Sequence, residues 1–137
     1  MLDVIMSFVP GPETVAVLML KGVLNAETYE LLQQKAQWAI ERGSQRLVLD
    51  MGDVSYMSSS GIRAINHIFH ALRTDLPQDS DAAIREGMRA GTYRSPHLKL
   101  ARPQPRVHEV LKLSGVNQFL EIHEDVPKAI DSFKRGS

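Results

Sequence analysis

The chain has 137 residues, 43% hydrophobic and 23% charged, a composition that fits one packed globular domain and not a disordered segment. Its 16 basic and 16 acidic residues cancel, so no overall field draws it to nucleic acid or to an anionic membrane. Cysteine is absent, which excludes disulfides and thiolate metal centres, and no apolar run approaches the roughly 20 residues that span a bilayer.

The first residues, with an early Asp3 and no basic flank or long apolar region, do not form a signal peptide, so the expected location is the cytoplasm. Val4 to Val9 reads as a strand stopped by Pro10-Gly11-Pro12. Thr14 to Leu20 is a second strand, apolar enough to be buried on both faces. Asn25 is an expected N-cap, and Thr28, Leu31, Leu32, Ala36, Ala39 and Ile40 then recur at helical spacing up to a stop at Gly43. Leu47 to Met51 is a third strand. A polar loop holding Ser58, Ser59 and Ser60 follows, and a helix from Ile62 to Leu72 carries Ile62, Ile65, Phe69 and Leu72 on its apolar side.

Residues 74–97 are rich in Asp, Arg, Gly and Ser and read as a mobile excursion. A short helix capped near Asp79-Ser80-Asp81 and stopped by Gly91 is an option within it. Its acidic residues Asp75, Asp79 and Asp81 precede Arg85, Arg89 and Arg94, a pattern of a solvated loop or of a second contact surface. Leu98 to Ala101 is a short strand, Pro103 or Pro105 starts a helix ending near Gly115, Phe119 to Ile122 is a last strand, and Asp125, Val126 and Pro127 open a final helix. After the first hairpin, strands and helices alternate, which predicts an α/β sheet with helices packed on it, all within a single domain over 1–137.

The serines gather where a strand hands over to a helix N-terminus. Backbone N–H groups are unpaired there and the helix dipole favours negative charge, so the place suits a phosphate, bound or covalently attached. Helix capping by one of the serines is the plainer reading of the same residues. Arg63, Asn66, His67 and His70 form the polar face of that helix, and Arg63 and Asn66 lie nearest the loop. His67 and His70 stand at i, i+3, but a third ligand is not evident and His97, His108 and His123 are scattered, so no metal site and no cofactor is expected.

Catalysis has little support. Met57 stands where a nucleophile elbow around Ser59 needs glycine, and no glycine-rich phosphate loop is present. Asp50 ends the third strand and Asp53 is a turn former, so neither is assigned to acid–base work. Trp38 is expected in the core.

The segments Lys21-Gly22-Val23-Leu24-Asn25-Ala26-Glu27-Thr28 and Leu49-Asp50-Met51-Gly52-Asp53-Val54-Ser55-Tyr56-Met57-Ser58-Ser59-Ser60-Gly61-Ile62, in this order of elements, resemble a STAS domain of the anti-sigma factor antagonists. The resemblance covers nearly the whole chain apart from 74–97, which is longer than the usual connection. It implies a mixed sheet of four to five strands with about four helices. It further implies a kinase-type anti-sigma factor as partner, which phosphorylates the first serine of an Asp-Ser-Ser/Thr-Gly-Leu loop, with a phosphatase to reverse the change.

Aligned on Gly61, the phosphoacceptor is Ser59, with Ser58 and Ser60 as alternatives. The docking surface would include Asn25, Ser58, Ser60, Gly61, Arg63 and Asn66. Two departures stand out: Ser58 replaces the motif's aspartate, and Asn25 replaces the aspartate usual before the first helix. An unphosphorylated STAS scaffold of a signalling or lipid-transport complex is the second reading, and a small-ligand or nucleotide sensor the third.

Overall fold

The computed structural model describes residues 1–11 and 13–135; Pro12 of the expected turn, and Gly136 and Ser137 of the expected domain, lie outside them. Five strands, β1 (Leu2–Val9), β2 (Val15–Leu24), β3 (Arg46–Met57), β4 (Leu98–Ala101) and β5 (Ile122–His123), form one sheet in the order β1-β2-β3-β4-β5. The β1–β2 hairpin is antiparallel and the other pairs are parallel. Each parallel step needs a crossover. The crossovers carry α1 (Tyr29–Glu41), α2 (Ser59–Ala71), α3 (Asp81–Ala90) and α4 (Pro105–Ser114), and α5 (Val126–Arg135) follows β5. The architecture is the mixed α/β sheet expected, with five α-helices because the optional helix of the 74–97 segment forms.

The alternation of side chains along β3 sorts the core into two layers. Leu47 and Leu49 face a large cluster with Leu18, Leu20, Leu32, Ala36, Ile65, Ile68 and Leu111, beneath α1, α2 and α4. Val48 faces the other way, into a smaller cluster with Val15, Val17, Ala101, Ala129 and Phe133 of α5. A strand covered on both sides must be apolar throughout, which is why residues 47–49 read as a continuous run.

Four expectations need correction. The polar loop after Met51 is strand: Lys21 to Leu24 of β2 pairs with Asp53 to Met57 of β3. Register shifts between Met19 and Lys21 and between Gly22 and Val23 break the two-residue period, so Val54 and Met57, three apart, both enter the core. Asn25 is not the N-cap of α1, because a turn intervenes and Thr28 occupies that position. Trp38 is 43% exposed, since Leu32, Ala36 and Ala39 define the inner stripe of α1 and position 38 falls outside it. It lies instead under the Arg42 guanidinium, 3.7 Å from the ring centroid, and beside Phe8. Finally, β5 comprises Ile122–His123, not Phe119 to Ile122; Phe119 closes a 3-10 turn and packs edge-on against Phe69.

The 74–97 segment contains a 3-10 turn, Pro77–Asp79, and then α3, which Ser80 caps by accepting the Ala83 N–H and Gly91 ends in the left-handed conformation, φ 76°. Arg73 ties it to the end of α2, donating to the Asp79 carbonyl and pairing with Asp81 at 2.7 Å.

Candidate functional site

β2 and β3 run parallel and end side by side, Leu24 opposite Met57. Their carboxyl ends bring together the two sequence segments singled out above. Ser58 continues the strand backbone, φ −99° and ψ −179°, and donates its N–H to the Leu24 carbonyl at 2.9 Å. It is also the N-cap of α2: its Oγ accepts the Ser60 N–H at 3.2 Å, and its carbonyl accepts the Gly61 N–H at 3.0 Å. The capping role therefore falls to Ser58, and α2 begins three residues earlier than its apolar period suggests.

Ser59 and Ser60 occupy the first two helical positions. Ser59 is exposed and Ser60 half-buried. Among the described residues no carboxylate or imidazole is hydrogen-bonded to any of the three hydroxyls. The first turn of α2 contains no acidic residue, leaving the positive end of the helix uncompensated.

Gly61 is buried because the helix start presses on both strand ends: a Cβ there would stand 2.7 Å from Met57 Cγ and 3.1 Å from Leu24 Cβ. Ser59, Arg63 and Asn66 follow at i, i+4 and i+7 and share one side of α2. Arg63 is exposed and Asn66 half-buried, while His67 and His70 continue the exposed face. Asn25 sits just beyond β2, but its side chain serves its own turn, with Oδ1 accepting the Glu27 N–H at 2.9 Å. Thr28 completes that turn, accepting the Asn25 N–H and donating to the Val23 carbonyl. The structure thus places Ser58, Ser59, Ser60 and Gly61 at the start of α2, Arg63 and Asn66 along the next two turns, and Asn25 just beyond the adjoining strand end, with Gly61 buried beneath the others.

Tyr56, 48% exposed on the last stretch of β3, stands two residues before Ser58 and is given no role of its own in the sequence reading. An aromatic residue within a polar stretch was its available signal. Asp50 also lies elsewhere than expected. It is within β3, 5% exposed, and bound by Arg102 through Nε at 2.7 Å and Nη2 at 3.3 Å. Asp53 likewise belongs to the strand, opposite Lys21. Among the described residues no group of three His, Asp or Glu side chains is placed to hold a metal, and no helix is long and apolar enough to cross a membrane.

A family profile described as the STAS domain matches residues 8–75, a span that includes β2, α1, β3 and all of α2. Residues 8–75 carry a STAS domain. A curated protein of Bordetella bronchiseptica, BtrV, named as a candidate anti-sigma factor antagonist, is 26% identical over 115 residues, covering 84% of this chain and 83% of that one. An anti-sigma factor antagonist from Mycobacterium paratuberculosis superposes with a TM-score of 0.69 at 13% identity, over 96% of this chain and 95% of that one. The anti-sigma factor antagonist SpoIIAA in its unphosphorylated form superposes with a TM-score of 0.58 at 17% identity, over 97% and 100%. The phosphorylated form of SpoIIAA, from Bacillus, gives a TM-score of 0.57 at 19% identity, over 93% and 98%. At these identities the superpositions speak for the fold, which is the STAS fold of the antagonists.

Proposed function

We propose that this STAS protein is an anti-sigma factor antagonist, acting in the cytoplasm in a partner-switching pathway that controls transcription. It binds a kinase-type anti-sigma factor through the start of α2 and is switched off by phosphorylation of Ser59. The observation that carries this reading is the division of labour among the serines. Ser58 is committed to capping, Ser60 is half-buried, and Ser59 presents a free hydroxyl to solvent at the positive end of a helix.

A phosphate there adds about −1.5 to −2 charges. Within the domain the helix N-terminus accommodates that charge. On the patch formed with Gly61, Arg63 and Asn66 it introduces bulk and charge into an interface built for a neutral hydroxyl, so docking is lost while the fold persists. Ser58 and Asn25, standing where the family usually has aspartates, make the unmodified patch less negative and the contrast between the two states larger. A phosphatase resets the switch. The protein is a regulator and supplies no catalytic group of its own.

The test is co-incubation with a kinase-type anti-sigma factor and ATP, read by phosphate-affinity electrophoresis and mass spectrometry. Ser59→Ala abolishes labelling, and Ser59→Asp loses the partner in a pull-down that the parent passes. Equal labelling of Ser59→Ala and the parent would sink the assignment.

A further inference from the structure

The two edges of the sheet are unlike. β5 is 2 residues long, whereas β1, at the other end of the strand order, runs for 8. Sheets guard an exposed edge with a short strand, Pro, Lys or a bulge. β1 has none of these: it reads LDVIMSFV, Asp3 is its sole charge, and its register with β2 is unbroken from Leu2 to Val9. Nor is the edge polar, for the exposed apolar side chains Met1, Ile5, Phe8 and Trp38 all stand at it.

The hydrogen bonds fix which backbone groups are free. In an antiparallel pair, facing residues alternate between exchanging both bonds and exchanging none. The Val23 N–H donates to the Met1 carbonyl at 3.2 Å, one step beyond the Leu2–Gly22 pair. Residues 1, 3, 5, 7 and 9 are therefore the ones bonded to β2, and Leu2, Val4, Met6 and Phe8 turn their N–H and C=O groups outward. The side chains of those four face α1: Leu2, Val4 and Met6 pack on the main core and Phe8 on Trp38. α1 does not close over them, because a groove of about 460 Å³ lies there, lined in part by Val4, Met6, Leu31 and Trp38. Asp3, Ile5 and Ser7 point to the other face, where Ile5 is 56% exposed.

We propose that two copies of this chain pair through β1, antiparallel about a two-fold axis, so that one sheet runs through both. A single register engages all the outward residues: Leu2 against Phe8 of the second copy, and Val4 against its Met6. Ile5 then meets Ile5 on the axis as a non-hydrogen-bonded pair, in which side chains stand closest, and Asp3 meets Ser7. A register that set Asp3 against Asp3 would leave Met6 and Phe8 without partners. The 16 basic and 16 acidic residues cancel, so two copies meet without net repulsion. The contact is isologous and closes, since the short β5 offers little edge on which to propagate. This pairing goes beyond the docking role and stands whether or not Ser59 is phosphorylated.

Sedimentation velocity of the full chain, from micromolar to submillimolar concentration, is the test. The mass should rise with concentration to twice 15.3 kDa. Ile5→Lys sets like charges opposite each other on the axis and removes the apolar contact, and should weaken the dimer at least about tenfold. Because the chain has no cysteine, Ile5→Cys and Ser7→Cys each carry one thiol. Under mild oxidation Ile5→Cys should give a disulfide-linked dimer on a non-reducing gel, and Ser7→Cys, displaced from its own copy, should not. Circular dichroism reports folding, and if Ile5→Lys unfolds, the cysteine pair decides. A monomer mass throughout the range overturns the proposal. So does a dimer that folded Ile5→Lys forms as tightly as the parent, or equal cross-linking at positions 5 and 7.

Discussion

Leu24 holds Ser58 by a backbone hydrogen bond of 2.9 Å and, through its Cβ, sets how closely Gly61 can approach. The last residue of β2 thereby positions both the cap of α2 and its third residue. Gly61→Ala should strike this joint directly. The added methyl would meet Met57 Cγ and Leu24 Cβ, neither of which is the free end of a flexible chain, so the helix start must lift. The expected cost is about 1–3 kcal/mol, the usual range for overpacking a filled site, measured by urea unfolding. Because the lift displaces Ser59 as well, partner affinity should fall further than stability alone explains.

Capping and switching reside on adjacent serines and should separate by mutation. Ser58→Ala removes the acceptor for the Ser60 N–H and should cost about 0.5–2 kcal/mol. Ser59→Ala removes an exposed hydroxyl with no partner among the described residues and places a better helix former at the first turn, so its stability should stay within about 0.5 kcal/mol of the parent. Thermal or urea unfolding of the two variants side by side checks this. A larger loss at Ser59 would mean that the hydroxyl has a structural duty.

Asp79 should give the 74–97 segment an acid-sensitive anchor. Burial by itself would raise its pKa, but the two hydrogen bonds from Thr74 and the bond to His97 outweigh it and hold the carboxyl below the usual carboxylate range. A depressed folded-state pKa means that the unfolded chain binds more protons at low pH. The stability it contributes is therefore complete above the unfolded value of about 3.9 and is lost as pH falls through the lower, folded value. Asp79→Asn should destabilise the protein by about 1.5–3 kcal/mol at neutral pH, as for a hydrogen bond to a charged group. The same change should flatten the acid limb of the stability curve. Urea titrations between neutral pH and about pH 3 report both, and hydrogen exchange in α3 should rise in parallel.

The sheet and most helices were legible because their signals are local. Apolar runs mark β2 and β3, the stripe of Ile65, Phe69 and Leu72 marks α2, and Gly91 and Gly115 adopt the left-handed stops their positions suggest, at φ 76° and 83°. The serine patch was legible for the same reason: three hydroxyls before a helical period. What escaped depends on distant partners. The second half of β3 is strand only because β2 extends beside it past a bulge, which no window around Asp53–Met57 reveals. Asp79 reads as a cap in an acidic loop, yet it is buried by Thr74 and by His97, 18 residues away. Trp38 looks like core until the neighbouring stripe of Leu32, Ala36 and Ala39 fixes which side of α1 faces inward.

Gly52 and Arg102 should behave as one unit. Arg102 takes up φ 42°, in the left-handed region, and swings its guanidinium back over β3 to bind buried Asp50. That path passes over Gly52: a Cβ there would lie 2.4 Å from Arg102 Cζ, and the three nearest atoms it would meet all belong to the same guanidinium. Gly52→Ala therefore acts by evicting Arg102 and leaving the Asp50 carboxylate with the Gly52 N–H but without its cation. Arg102→Ala has the same consequence without the clash. Because the Arg102 side chain is 45% exposed, each single change should cost nearer about 1–3 kcal/mol than the full penalty of a wholly buried pair. The decisive quantity is their coupling. Once the guanidinium is gone, alanine at position 52 meets none of the close atoms, so Gly52→Ala should cost little in the Arg102→Ala background. Strong non-additivity in a double-mutant cycle is expected, with a double variant close in stability to Arg102→Ala alone. Simple addition of the two losses would show that Gly52 is needed for the bulge itself and not for the passage of Arg102.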